Sequence, residues 1–355
     1  MFDDMGSAPA TLEASRDADL FGSAPGNDCQ MADAIQAYIQ ANLTGTPCWV
    51  CLPPDDRPEC MKGFRRPVVR LKKALYGHPD SGTYWEKHCD AHLTKVGFKP
   101  VGKEWPSCYI HPLLKLFLIV YVDDFKMAGP KHQLEEAWKL IRTKITLDEP
   151  RPFGRFLGCE HRLVQRVSPI TGRTVTAIEY DMSEFLSQCV EVYCKEFNVD
   201  RASLRKKAVS TPFLSGKEEY VHECGGHCSK CGALCCSGNR DDLRKIEREK
   251  ERHAHPGSLH KPASRVLMKV LYASRMARPD LLKVNCSLAS EVSKWDSSSA
   301  ERLHRMLCYV EQHKHMVFVG WCGDSPADLS LEAFAGAGFA SDYNTAKSTT
   351  GGIIF

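Results

Sequence analysis

Asp123 and Asp124 stand side by side in LFLIVYVDDFKMAGP, residues 116 to 130. Leu116 to Val120 is short and wholly apolar, which reads as a buried strand, and Gly129-Pro130 breaks the chain after it. An ionised carboxylate beside such a strand is costly unless something compensates it. Two carboxylates about 4 Å apart repel by roughly 4 kcal/mol at an effective dielectric of 20. The pair is therefore either turned to water at a hairpin tip, where Asp-Asp is common, or supplied with a cation. These residues alone leave a plain turn and a metal site equally open.

The elements around the pair narrow the choice. Residues 9 to 21 read as a helix with Pro9 near its first turn. Gly22 to Asp28 reads as a turn, and TPCWVCLPP as a strand closed by prolines. In TYWEKHCDAHLTKVGF, Trp85, Cys89, Leu93 and Val96 fall on one helical face. Residues 108 to 128 read as strand, turn, strand around the two aspartates, and 133 to 145 as a second helix. GRFLGCEHRLVQ reads as a short apolar strand. MSEFLSQCVEVYCKEF carries an apolar stripe from Met182 to Tyr193, and Asp181 with Glu184 resembles a capping box. Residues 214 to 262 turn polar, with a Cys/His cluster and a charge run. Helical pattern returns from 263 to 310, and 316 to 321 reads as a strand.

The bulk numbers suit a chain of two or three domains. It has 355 residues, 43% hydrophobic and 26% charged, with no apolar run long enough to span a membrane. The first residues carry neither a basic nor an apolar signal region, so no secretory leader is expected. Most of the 17 cysteines are expected reduced, as small buried hydrophobes. A net charge of +3 argues little about partners. The stretch from Lys62 to Lys73, with Arg65, Arg66, Arg70 and Lys72, could neutralise phosphates or simply line a solvated strand.

Asp33 supplies a partner for the pair. DAIQAY, with Ala37 four and Tyr38 five residues after Asp33, taken together with YVDD, resembles a reverse transcriptase. Further landmarks in order are similar to the copia-type branch of retrotransposon polymerases. They are RLKKALYGHPDSGTYW at 70 to 85, GRFLG at 154 to 158, STP at 210 to 212, KVLYASRMARPDL at 269 to 281 and KSTTGGIIF at 347 to 355. The resemblance implies an α+β fold: a right-hand palm and thumb with incomplete fingers, followed by a partial ribonuclease H-like α/β region. The implied boundaries are 1–30 for a residual fingers helix and turn, 31–165 for the palm and 166–213 for the thumb. A Cys/His-rich insert or linker follows at 214–262, then connection helices and a truncated ribonuclease H-like region at 263–355.

The resemblance also implies the chemistry. Asp33, Asp123 and Asp124 would be the catalytic acids and would hold two Mg²⁺ ions, with Asp33 and Asp123 as main ligands and Asp124 in support. Nucleotidyl transfer uses two ions about 3.5–4 Å apart, and Mg²⁺ takes hard oxygen donors. Tyr38 would be the aromatic gate against a 2′ hydroxyl, or else an ordinary buried tyrosine. Tyr76 and Gly77 would back the incoming nucleotide, or only start a helix. Phe156, Leu157 and Gly158 match the primer-grip hairpin by position, where a plain core strand is the other reading. The implied partners are an RNA or DNA template–primer duplex and deoxynucleoside triphosphates, with no membrane. The implied location is inside the cell, in a cytoplasmic particle or the nucleus.

Three departures bear on activity. The fingers that would precede Asp33 are short, which removes cations that stabilise a phosphoryl transition state. At the first ribonuclease H strand, Gly336 and Gly338 stand at the first two aspartate positions, and the chain stops at Phe355 before the remaining acids. No ribonuclease H activity is therefore expected. Finally, HECGGHCSKCGALCC at 222 to 236 lies outside the family pattern. Cys224, Cys228, Cys231 and Cys235, with His227 and Cys236, could bind a structural Zn²⁺, or form a reduced cysteine-rich insert. A catalytically inactive, nucleic-acid-binding relic of the same fold is the alternative function.

Overall fold

The computed structural model describes residues 6–213, 260–322, 330, 332–338 and 348–354. The zinc candidates Cys224, Cys228, Cys231 and Cys235 lie outside the described residues, as do His227, Cys236 and Asp342. The described chain is α+β, with antiparallel sheets and helices packed on them.

In chain order, helix α1 (Leu12–Gly22) leads to strand β1 (Asn27–Asp33), the short helix α2 (Ala37–Gln40) and strands β2 (Trp49–Cys51) and β3 (Val68–Arg70). Helix α3 (Ser81–Lys95) follows, then β4 (Lys99–Gly102), β5 (Trp105–His111), β6 (Leu116–Tyr121) and β7 (Asp124–Pro130), and helix α4 (Lys131–Arg142). Next come β8 (Arg151–Pro152), β9 (Arg155–Phe156), β10 (Cys159–Val167), β11 (Thr174–Asp181) and helix α5 (Ser183–Phe197). Helices α6 (His260–Met276), α7 (Leu282–Ser290) and α8 (Ser297–His313) precede β12 (Phe318–Trp321), β13 (Ala333–Gly338) and β14 (Thr349–Ile354).

The main sheet has the order β4-β5-β6-β7-β1-β8. Its strands alternate as a sheet covered on both faces requires. Ala32, Leu118, Val120, Phe125 and Met127 pack with Trp85, Cys89 and Leu93 of α3 and Leu134, Trp138 and Ile141 of α4. The opposite face carries Met31, Ile119, Cys29 and Ala128 against Ala14 and Ala18 of α1. Small residues let α1 lie close. A Cβ on Gly22 would come within 2.6 Å of the Cys29 Cβ. Thr11 Oγ1 caps this helix by accepting the Ala14 N–H at 3.2 Å.

The second sheet runs β12-β11-β10-β9. Its inward residues Cys159, Ile178 and Tyr180 share one core with α5, α6, α7 and α8, including Leu186, Val190, Val266, Val270, Leu303 and Leu307. Residues on both sides of 214–259 therefore close the same core. Strands β13 and β14 pair in antiparallel register, Gly336 opposite Gly351.

Two local expectations are corrected. The segment read as a turn ending at Asp28 already contains the first two residues of β1. Asp181 does not form a capping box with Glu184. Its Oδ1 accepts from the N–H of Ser183 at 2.8 Å, while Glu184 pairs with Arg155 at 3.1 Å. Of the twelve described cysteines, all free, six are buried, three half-buried and three exposed.

Candidate acidic active site

The paired strands β1 and β7 each carry an acid at one end, on the α1 side. Cys29, Met31 and Asp33 alternate along β1, and Ala128, Lys126 and Asp124 along β7. The antiparallel register sets Asp33 directly opposite Asp124. The Ala34 N–H donates to the Asp123 carbonyl at 2.7 Å. That bond marks Asp33 and Asp124 as a non-hydrogen-bonded pair, the kind whose side chains lie closer together. A two-residue loop, Val122-Asp123, joins β6 to β7 with Tyr121 opposite Asp124. Asp123 is exposed at the tip, whereas Asp33 and Asp124 are half-buried.

The loop is held in a costly shape. Val122 has φ +58°, a left-handed conformation in which a β-branched residue is an outlier. The Trp85 indole of α3 donates to the Val122 carbonyl at 2.5 Å. The loop backbone is thus bonded from α3 on one side and from Ala34, just past β1, on the other.

Arg151 completes the group. It lies on β8 opposite Met31, so its long side chain reaches Asp33 diagonally across β1. Its Nη2 donates to Asp33 Oδ1 at 2.7 Å and its Nη1 to Asp33 Oδ2 at 2.8 Å, a bidentate fork. The same Nη1 is 3.3 Å from Asp148 Oδ2. Asp148 Oδ1 in turn accepts the Asp33 backbone N–H at 2.7 Å.

The charges divide accordingly. Burial would raise the Asp33 carboxyl, but hydrogen bonds from Arg151 and Asp124 hold it below the usual carboxylate range. Asp124 moves the other way, to about 7, because burial, its hydrogen bond to Asp33 and the charges of Asp33 and Asp123 all oppose ionisation. Asp33 is thus the more readily ionised of the two facing acids, and Asp124 the more readily protonated.

The nucleotide-side candidates gather next to the tip. The Tyr38 and Tyr76 rings lie 4.6 Å apart at 42°. Burial and the neighbouring Tyr76 and Asp123 raise the Tyr38 phenol. Gly77 has φ +92° and open space around it. The primer-grip candidates form a hairpin of their own. Phe156 pairs with Cys159, and Leu157 (φ +50°) and Gly158 (φ +75°) make the turn, the left-handed pair that a two-residue loop favours. Phe156 belongs to the buried cluster that Leu157 and Tyr121 of β6 both pack against, which puts this hairpin beside the acidic one. The Tyr272 hydroxyl of α6 donates to the Leu157 carbonyl at 2.5 Å.

The basic stripe falls on and around β2 and β3, where Trp49 pairs opposite Arg70. Lys62, Arg65, Arg66, Arg70, Lys72 and Lys73 are all exposed, and so are Trp49, Phe64 and Tyr76.

Asp33 and Asp124 suit a hard divalent cation in donor type, and the strand register brings the two carboxylates face to face. Among the described residues, no three His, Cys, Asp or Glu side chains converge closely enough to chelate an ion. The cation against Asp33 is Arg151. Sequence reasoning brought out the three aspartates but missed Arg151, Asp148 and Tyr272. The available signal was DEPRP, which sets an acid and an arginine three residues apart just ahead of GRFLG.

No family model matches the chain.

Proposed function

We propose that the chain is a reverse transcriptase of the copia-type retrotransposon branch, an RNA-directed DNA polymerase that adds deoxynucleotides to a primer 3′ hydroxyl. The observation that carries the reading is the register that sets Asp33 opposite Asp124, with Asp123 in the adjoining loop. In this reading the six-stranded sheet with α3 and α4 is the palm, and α5 is the thumb helix that follows a duplex. Two Mg²⁺ ions, when bound, would activate the primer hydroxyl and neutralise the triphosphate.

The chain's own residues divide the remaining work. Asp33 and Asp124 supply carboxylate oxygens from two paired strand ends, so a rigid sheet fixes their spacing. Asp123 adds charge at the tip. Tyr38, braced by Tyr76, presents a flat ring where a sugar would lie. The hairpin at Leu157–Gly158 offers backbone beside the acids for a primer strand. The exposed cations from Lys62 to Lys73 suit a phosphate backbone, and their contribution would weaken with salt.

A second reading, a relic that grips nucleic acid without copying it, is favoured by the Arg151 fork on Asp33. Primer extension on an RNA template with deoxynucleotides and Mg²⁺ separates the two. The expected result is extension by the native chain and none by a variant carrying Asp123→Asn and Asp124→Asn. Duplex binding without extension by either would favour the relic. In the same mixture the RNA strand of the hybrid is expected to stay intact, in keeping with glycine at positions 336 and 338.

A further inference from the structure

Arg151 holds both carboxylate oxygens of Asp33, at 2.7 and 2.8 Å. A divalent ion on Asp33 would have to compete for those same oxygens with a guanidinium that already takes one lone pair on each, and would sit against its positive charge. We propose that Arg151 is a latch on the acidic site: a resident cation that closes it to divalent ions and opens by swinging from Asp33 onto Asp148. The proposal rests on the metal-dependent reading above and adds to it a device for admitting the ion.

The surroundings suit a latch better than a fixed brace. Arg151 already has a second partner waiting, since Nη1 is 3.3 Å from Asp148 Oδ2. A swing therefore leaves the guanidinium paired and not bare. Asp148 does not have to move to receive it, because its other oxygen is tied to the Asp33 backbone N–H at 2.7 Å. The strand that carries the arginine is only two residues long and pairs only with β1, at the edge of the sheet. A short edge strand is the element of a sheet that shifts most easily. The arginine and Asp33 are each about 40% exposed, at 39% and 43%, so an ion reaches them from solvent.

The latch also fits the balance of charge. Asp33, Asp124 and Asp148 all act on one guanidinium. When the arginine moves onto Asp148, Asp33 and Asp124 face each other without a cation between them. That is the arrangement a hard divalent ion stabilises most.

The test is direct binding of Mn²⁺ as the probe ion. Free Mn²⁺ is counted by its room-temperature electron paramagnetic resonance signal over the full chain, so no catalytic turnover is needed. Arg151→Gln is expected to bind Mn²⁺ at least about tenfold more tightly than the native chain, since a charge-assisted bidentate competitor is gone. Adding Asp124→Asn to Arg151→Gln should remove that gain, which assigns the ion to this site and not to carboxylates elsewhere. Arg151→Lys keeps the charge without the fork and should fall between the two. It also serves as the working variant if Arg151→Gln does not fold.

Equal Mn²⁺ affinity in the native chain, Arg151→Gln and Arg151→Lys would overturn the latch while leaving an aspartate-dependent metal site in place. If no variant binds Mn²⁺ in a way that Asp124→Asn diminishes, the metal-dependent reading fails, and the latch fails with it.

Discussion

Asp124 is the residue on which the electrostatics of the site turn. Its carboxyl is raised from an ordinary carboxylate value to about 7 by burial and by the facing Asp33. A group that binds its proton more tightly when folded favours the fold while that proton stays on. Stability should therefore fall as pH rises from about 4 to about 7, and level off above. Asn at this position keeps the shape and a donor toward Asp33 but cannot ionise. Asp124→Asn should thus be more stable than the native chain at pH 8 by about 1 kcal/mol, solvent screening at this half-exposed position having reduced the effect, with the advantage nearly gone at pH 4. Urea unfolding of both proteins at the two pH values measures this. Parallel pH dependence in the two would mean that Asp124 ionises freely in the fold. Val122 beside it shows the same logic in the backbone. A loop residue in the left-handed region is normally glycine, yet a valine is held there by bonds to the loop backbone from α3 and from Ala34.

At the scale of elements, the acids are positioned by a buried polar cluster two residues away. Lys126 of β7 donates to Asp19 of α1 at 2.7 Å and to Ser15 at 2.8 Å, and lies 4.1 Å from the centre of the Phe156 ring of β9. The Tyr180 hydroxyl of β11 donates to the other Asp19 oxygen at 3.2 Å. One fully buried ion pair thus ties the helix, the acid-bearing strand and both sheets. Lys126→Met keeps the volume and strands the Asp19 charge, so it should cost about 3–5 kcal/mol. Replacing both partners, Lys126→Met with Asp19→Leu, should recover much of that loss. Denaturation of the single and double variants decides it, and a single-variant loss below about 1 kcal/mol would show that Asp19 is satisfied without the lysine. None of this cluster was legible in the sequence. Helix α3 was, because Trp85, Cys89 and Leu93 repeat at helical spacing and all three are buried. The hairpin at Asp123 was legible too, since apolar runs flank it. Strand β1 was hidden because NDCQMAD is half polar and opens on turn-forming residues. Its buried Cys29 and Met31 show only when the alternation is read backward from Asp33. Lys126 and Tyr272 gave no local signal, since each acts on a partner more than a hundred residues away in sequence, and DEPRP showed the Arg151–Asp148 spacing but not the reach to Asp33.

At the scale of the molecule, the helices after residue 260 close the core begun by α5 and the second sheet, and a single buried acid marks the junction. The Glu311 side chain of α8 is fully buried. It accepts from Arg201 at 2.8 Å, from Lys314 at 3.0 Å and from Arg205. Both arginines come from the segment after α5, so this cluster links chain on either side of 214–259. Burial alone would raise the Glu311 carboxyl, but hydrogen bonds from Arg201, Lys314 and Arg205 overcome it and bring it down to about 2. A folded value below the unfolded one means that the stabilisation is complete above about pH 4.5 and drains away as pH falls from there toward about 2. Glu311→Gln leaves three cations facing a neutral amide and should cost about 3 kcal/mol at pH 7. At pH 2.5, where the native carboxylate has lost most of its advantage, the two proteins should unfold at nearly the same urea concentration. A Glu311→Gln deficit that persists unchanged at pH 2.5 would mean that the residue contributes by packing and not by charge. The junction of the two segments would then be held by the shared apolar core alone.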